Sequence, residues 1–505
     1  MTNFEKNFMR YMDAGIPILY IDTLEDDKAC EIIHEMCKEN LQRGIIEWAI
    51  SGGRDYSTNE ALLQMDLADT LLNIFLQDKN LITGKIIILR DVQFYFDPHG
   101  TNSKTAETIS AIKLFAQKIN SGELDCNLCI VAPLVSLPKE IENYVTVLEM
   151  DFLDENLIRQ MVVDFSKEQE IKTPDKDLLD KLAMRLKGLS RTEISNVLSL
   201  IISEDGTIDH SDLSEILKQK QQMIKKSGIL EMINVKESME DIGGLENLKS
   251  WLIRKAEIFK QIKKAQNFGV DMPKGVLIAG MPGCGKSLTA KAAAKAFDVP
   301  LLRLDMGRLM GKYVGESESN MRRAIKLTEA SSPCVLWIDE LEKAFAGIGG
   351  NGSEVTTRLF GNFLTWMQEK DSLAFVLATA NNISKLPPEL LRKGRFDEIF
   401  YVGLPNEKER SKIFEIHIAK RRKQDLKNIQ IDKLVKNTSG YCGADLEGVV
   451  KEAVETAFVR KKQSLSTEDI LEAVNGTHSI SEVMKDSIEE MGKVYKNLQL
   501  KSASN

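Results

Sequence analysis

The chain has 505 residues, of which 43% are hydrophobic and 28% charged, and a net charge of −8. That is the composition of a folded globular protein with room for roughly two to four domains, not of a disordered chain. The acidic balance argues against general nucleic-acid binding, and no apolar run approaches the length that spans a bilayer.

Residues 1 to about 150 alternate strand-like and helix-like signals. Apolar runs at Ile16–Ile21, Lys85–Asp91, Asn127–Ala132 and Tyr144–Leu148 read as strands, and residues 27–41 and Thr108–Ile119 read as helices. Strands alternating with helices predict a parallel, doubly wound sheet. Residues 151–227 read as helical throughout, for example Leu157–Lys167, Lys176–Leu186 and Leu213–Lys226. This is the outline of an ATPase module with its lid, but the phosphate chemistry is missing. After the first strand the chain reads Asp22-Thr23-Leu24-Glu25-Asp26-Asp27-Lys28, with no glycine and four acids that would repel phosphate. Where Asp-Glu would be wanted it reads Arg90-Asp91-Val92-Gln93. The N-terminal half is therefore expected to be a degenerate ATPase-like domain, or an unrelated α/β adaptor, that binds no nucleotide. Residues 228–238 read as a linker.

The second half carries a phosphate loop, Gly280-Met281-Pro282-Gly283-Cys284-Gly285-Lys286-Ser287. It follows the strand-like run Gly275–Ala279 and opens a helix at Leu288–Phe297. Strand, glycine-rich loop, Lys-Ser and helix is the context in which such a loop binds phosphate. Its amides and the helix N-terminus turn partial positive charge on the phosphates. Lys286 would reach the β and γ phosphates of ATP, and the Ser287 hydroxyl would ligate Mg²⁺.

Farther on, Cys334-Val335-Leu336-Trp337-Ile338-Asp339-Glu340 delivers two acids to the end of a buried strand. Asp339 would hold Mg²⁺, and Glu340 would polarise the attacking water. Asn381, after the run Leu373–Ala378, is placed to sense the γ-phosphate. Asparagine also commonly begins turns, so its assignment rests on the family resemblance. Arg392 and Arg395, in Leu390-Leu391-Arg392-Lys393-Gly394-Arg395-Phe396-Asp397, are candidates for positive charge supplied to a neighbouring subunit. Spacing alone would leave them as surface charge.

The seven cysteines, at 30, 37, 126, 129, 284, 334 and 442, are scattered. With no secretory h-region near the N-terminus, reduced thiols and an intracellular location are expected. Cys126-Asn127-Leu128-Cys129 reads as part of a strand, because no second cysteine pair or nearby histidine completes a zinc set.

Residues 239 to about 475 resemble an AAA+ ATPase module. The resemblance rests on Asp241-Ile242-Gly243-Gly244, the phosphate loop, Trp337–Glu340, Asn381, the block Arg392–Asp397 and Ser439-Gly440-Tyr441-Cys442-Gly443-Ala444-Asp445-Leu446. It implies a P-loop α/β subdomain over 239–403, a helical lid over 404–480, and a helix and tail over 481–505. The last ten or so residues read as a frayed polar tail. The resemblance also implies Ile242 and Gly243 near adenine, Gly443 and Ala444 closing the pocket, and the loop from Pro282 into Leu288 as the binding set. Lys312 and Tyr313 would lie on a pore loop that grips polypeptide, and the glycine-rich stretch 346–353 on a second. Phe360–Lys370 and Leu386–Phe400 further resemble the AAA family of the ycf forty-six type, encoded in some algal chloroplasts with relatives in bacteria. The expectation is a cytoplasmic, or plastid stromal, Mg²⁺-dependent ATPase. It would assemble as a homo-oligomeric, hexameric ring and remodel a protein partner, with no nucleic acid and no membrane span. The alternative is a scaffold whose assembly state ATP binding sets.

Overall fold

The computed structural model describes residues 2–23, 25–96, 104–132, 137–150, 153–226, 228–309, 316–345, 354–392 and 394–505. The chain divides into two compact units, Met1–His210 and Ser211–Asn505.

The first unit is built on seven strands: β1 (Ile18–Asp22), β2 (Gly44–Ala49), β3 (Gly52–Asp55), β4 (Glu60–Leu62), β5 (Lys85–Arg90), β6 (Cys126–Ala132) and β7 (Val145–Glu149). They lie in the order β4-β3-β2-β5-β6-β1-β7, and all pairings are parallel except those of the β2-β3-β4 meander at one edge. The helices Asp26–Met36 and Thr105–Asn120 bury residues against this sheet. Three helices, Glu155–Glu168, Lys176–Leu186 and Arg191–Asp205, complete the unit. Each starts on a side-chain cap, from Asp154, Asp175 and Ser190 respectively, which satisfies otherwise orphaned amides of the first turn. The expected strands are present. The meander is an addition that its short, Gly-containing segments did not reveal.

The second unit carries β8 (Leu230–Ile233), β9 (Gly275–Gly280), β10 (Leu301–Leu304), β11 (Cys334–Ile338), β12 (Ala374–Ala380), β13 (Glu398–Val402) and β14 (Lys501–Ser502). Their order is β14-β13-β9-β12-β11-β10-β8. β9 and β12 are buried along their whole length, as strands covered on both faces must be. The aromatic rings of Trp251, Phe297 and Phe400 pack around the sheet, with Phe297 4.7 Å from Phe375. A separate helical cluster, including Phe414, Leu446 and Ile470, forms the lid core.

Two stretches differ from expectation. Residues 230–233, read as linker, form β8 and pair antiparallel with β10. The C-terminal residues are not frayed. β14 pairs with β13, and the buried Ala503 donates its amide to the Tyr401 carbonyl at 2.8 Å. The Ala503 carbonyl in turn accepts from the amides of Asn247 and Leu248. Tyr495 stacks on Tyr401 at 3.9 Å. The tail thus covers the unpaired edge of β13, a satisfaction of backbone groups that polar composition does not predict.

The cores of the two sheets have the same connectivity. β7-β1-β6-β5-β2 repeats the order of β13-β9-β12-β11-β10. In this correspondence Asp91 and Glu340 occupy equivalent turns, and both are left-handed, with φ of +61° and +51°. Arg90 therefore stands in the first unit where Asp339 stands in the second. Arg90 reaches Asp26 at 2.7 Å and Asp27 at 2.6 Å, in the first turn of the helix after β1, and Glu47 at 3.1 Å. The second unit has a cation at the helix start and an acid at the strand end; the first unit has the reverse. The inversion closes the position on itself and presents carboxylates where a phosphate would need cations and amides.

Candidate active site

The phosphate loop leaves β9 through Gly280, where any Cβ would meet the Val402 carbonyl oxygen at 2.0 Å. Gly283 is left-handed (φ +72°), and a Cβ there would strike the Cys442 thiol at 2.6 Å. The loop can be this close to β13 and to the lid only with glycine at both positions. The helix Lys286–Phe297 follows, and its buried alanines let it lie tightly on the sheet.

A cavity of about 420 Å³ opens over the loop. Pro282, Gly283, Cys284, Gly285, Lys286, Ser287 and Leu288 form its floor, and Asp339, Glu340 and Asn381 one side. Ile242 and Gly243 line it from the segment before the first helix, and Gly443 and Ala444 from the lid. The lid is held against the loop by the Ala444 amide, which donates to the Gly283 carbonyl at 2.9 Å.

The buried Lys286 ammonium donates to the carbonyls of Gly280 at 2.8 Å and Met281 at 2.7 Å. Burial pushes it below the ordinary lysine value, against the pull of Glu342, Asp339 and Glu340. An incoming anion would restore what burial takes away. The Ser287 hydroxyl lies 3.4 Å from Asp339 Oδ1, so a hydroxyl and a carboxylate converge as a hard divalent cation such as Mg²⁺ requires.

Glu340 is fixed at both carboxylate oxygens. The Asn381 side-chain amide donates to Oε1 at 3.1 Å, and Lys343 pairs with Oε2 at 2.5 Å. Its left-handed backbone, uncommon for a non-glycine residue, is held by its amide donating to the Thr379 hydroxyl at 3.1 Å. That hydroxyl donates to Asp339 Oδ1 at 2.5 Å. Thr379 thus ties the two acids together, and the sequence reading missed it. Its signal was a hydroxyl in the otherwise apolar, fully buried β12, two residues before Asn381. Glu342 was also missed. It is buried and accepts the Asn381 amide at 3.0 Å. On the lid side, His417 and Glu447 line the cavity. Burial holds the His417 imidazole below its usual range, with the Glu447 carboxylate opposing.

The two arginines are not in this cavity. Arg392 is exposed; its amide donates to the Glu389 carbonyl at 3.3 Å, and its guanidinium has no hydrogen-bond or ion-pair partner among the described residues. Arg395 is half-buried and donates to the Glu389 carbonyl. Lys312 and Tyr313, and the glycine-rich stretch 346–353, lie outside the described residues. The cysteines described are free and buried, and no group of three or more metal-ligating side chains occurs among the described residues.

Residues 276–404 match the model of the ATPase family associated with various cellular activities (AAA), and residues 428–472 that of the AAA+ lid domain. Residues 4–150 and 155–227 match the N-terminal and second domains of SpoVK-like AAA ATPases. The AAA domain-containing protein ycf46 of Guillardia theta is 35% identical over 97% of this chain and 94% of its own length. The chain belongs to the ycf46 family of AAA ATPases. The ycf46 protein of Trieres chinensis is 36% identical over 92% of this chain and 91% of its own length. A proteasome-activating nucleotidase of Saccharolobus solfataricus is 28% identical over 74% of this chain and 93% of its own. The ycf46-type chain described here is an ATP-hydrolysing enzyme of the AAA+ class, and among its described residues no helix is long and apolar enough to cross a membrane.

Proposed function

We propose that this chain hydrolyses ATP with Mg²⁺ at a subunit interface of a ring, hexameric as the family resemblance implies, and uses the cycle to remodel or unfold a protein partner. The observation that carries the reading is one cavity lined by the phosphate loop, both acids, Asn381 and the lid, with both candidate arginines outside it.

Lys286 and the loop amides bind the β and γ phosphates, and Ile242, Gly243, Gly443 and Ala444 enclose the base. Ser287 and Asp339 would hold Mg²⁺, which supplies neutralisation of phosphate charge. Glu340 accepts a proton from the attacking water, and Asn381 keeps its carboxylate in place. Arg392 and Arg395 of a neighbouring subunit stabilise charge on the γ-phosphate, so the site is complete only in the assembly. Likeness to a protein named for activating a proteasome favours a polypeptide as the partner, and the first unit, with its charge-inverted site, is free to select it. Lys312 and Tyr313 are the residues proposed to grip it.

Glu340→Gln tests the reading. It should bind ATP with affinity near that of the parent chain, lose turnover by at least about a hundredfold, and retain its partner on co-purification. Full biological function with turnover abolished would instead favour an ATP-gated scaffold.

A further inference from the structure

Arg392 and Arg395 sit on the turn that leads into β13, and the structure shows what holds that turn. Its anchor is Lys274, the residue before β9. The Lys274 ammonium donates to the Gly394 carbonyl at 3.0 Å and to the Gln368 carbonyl, in the last turn of the helix Glu354–Glu369, at 2.6 Å. The Lys274 amide donates to Asp397 Oδ2 at 3.1 Å, and the Lys255 ammonium lies 3.1 Å from the same oxygen. The Asp397 amide returns a hydrogen bond to the Gly275 carbonyl at 2.9 Å. Gly394 itself is left-handed (φ +102°).

Arg395 is therefore bracketed. The residue before it is pinned through its carbonyl, and the residue two after it through its side chain and amide. The Lys255 and Asp397 side chains are each 19% exposed, so the pair is screened less than one on the open surface. None of Lys255, Lys274 and Asp397 lines the nucleotide cavity. Yet Lys274 immediately precedes the strand whose other end is the phosphate loop. One residue thus joins the start of a subunit's own phosphate-loop strand to the arginines it would offer next door.

We infer that Lys274, with Asp397 and Lys255, is a positioning clasp that sets where Arg395 is presented to the neighbouring subunit's ATP. This rests on the reading that the arginines act in trans. A misplacement of about 1 Å at a phosphoryl-transfer centre is enough to lower turnover by orders of magnitude. The clasp therefore predicts a defect in the neighbour's hydrolysis, with the subunit's own ATP binding left intact.

Lys274→Met keeps the stem and removes the ammonium. In the full chain it should bind ATP within about twofold of the parent and turn it over about tenfold more slowly, and Lys274→Arg should recover part of the loss. The deciding measurement is subunit mixing. Lys286→Ala chains cannot use ATP but carry an intact clasp and arginines. Mixed with K274M chains, they should raise turnover several-fold above the sum of the two alone, because each K274M site next to a K286A chain receives a well-placed arginine. Lys255→Met, which spares both carbonyl bonds, is mixed in the same way and should complement too; it decides the matter if K274M does not fold. R395A mixed with K286A is the reference. If R395A alone turns over normally, the trans reading fails. If R395A complements but neither clasp variant does, or if both keep parent turnover, the clasp is overturned.

Discussion

At the scale of single residues, the site depends on a few polar groups gathered around one cavity. Lys286 is the clearest case, because its ammonium is buried and, among the described residues, hydrogen-bonded only to the carbonyls of Gly280 and Met281. Lys286→Ala should abolish ATP binding in a calorimetric titration of the full chain. Complete loss would also show that the first unit binds no nucleotide, whereas residual stoichiometric binding would sink one assignment or the other. Thr379 acts through the acids. Its hydroxyl bonds both Asp339 and the strained Glu340 backbone. Thr379→Val, which keeps the shape, should lower turnover about tenfold with ATP affinity changed by less than about threefold. Unchanged turnover would reduce Thr379 to a packing residue.

At the scale of elements, the ends of β5 and β11 carry opposite charge, Arg90 against Asp339, and this yields a stability prediction. Removing Arg90 leaves Glu47, Asp26 and Asp27 facing one another. Arg90→Met should destabilise the first unit by about 2 kcal/mol near neutral pH, measured by denaturant unfolding. The pH dependence has a definite sign. The hydrogen bond from His34, then Arg90, holds the Glu47 carboxyl below the usual range, despite burial. A depressed carboxyl contributes stability that is present above its unfolded pKa, near 4, and is lost as pH falls through the folded value. The difference between parent and variant should therefore shrink as pH drops from about 6 to about 3; a constant difference would exclude the ion cluster as its source. The edge of β13 gives a second case. Deleting residues 500–505 removes the β14 pairing and the three backbone bonds made by Ala503. It should cost the second unit about 2–3 kcal/mol, and an unchanged unfolding midpoint would return these residues to the status of a loose tail.

At the scale of the whole molecule, two sheets with the same core strand order carry one phosphate loop between them. The first unit keeps the connectivity and even the left-handed turn after the third core strand, but its charges are reversed. The division of labour proposed above follows. Energy enters through the second unit, and the first is available for recognition. In the proposed ring, assembly would link the two levels, because the arginines lie outside their own subunit's cavity and the clasp that holds them starts beside their own phosphate-loop strand.

Much of this was legible without coordinates where the chemistry lies in consecutive residues. The phosphate loop, Asp339-Glu340 and the strands β1, β5, β6, β7, β9, β11 and β12 are local patterns, because an apolar run and a loop's backbone freedom are set by neighbours along the chain. The acids of residues 25–27 were likewise visible in the sequence as carboxylates standing where a phosphate loop would follow the first strand. What only the tertiary structure decided are contacts between distant residues. They include Thr379 on Asp339, Arg90 on the helix after β1, Ala503 on β13, and Lys274 on Gly394, 120 positions away. A lone threonine, arginine, alanine or lysine has no signature in composition or spacing. Its partner is set by the order in which the strands are laid down, and that order is a property of the folded sheet.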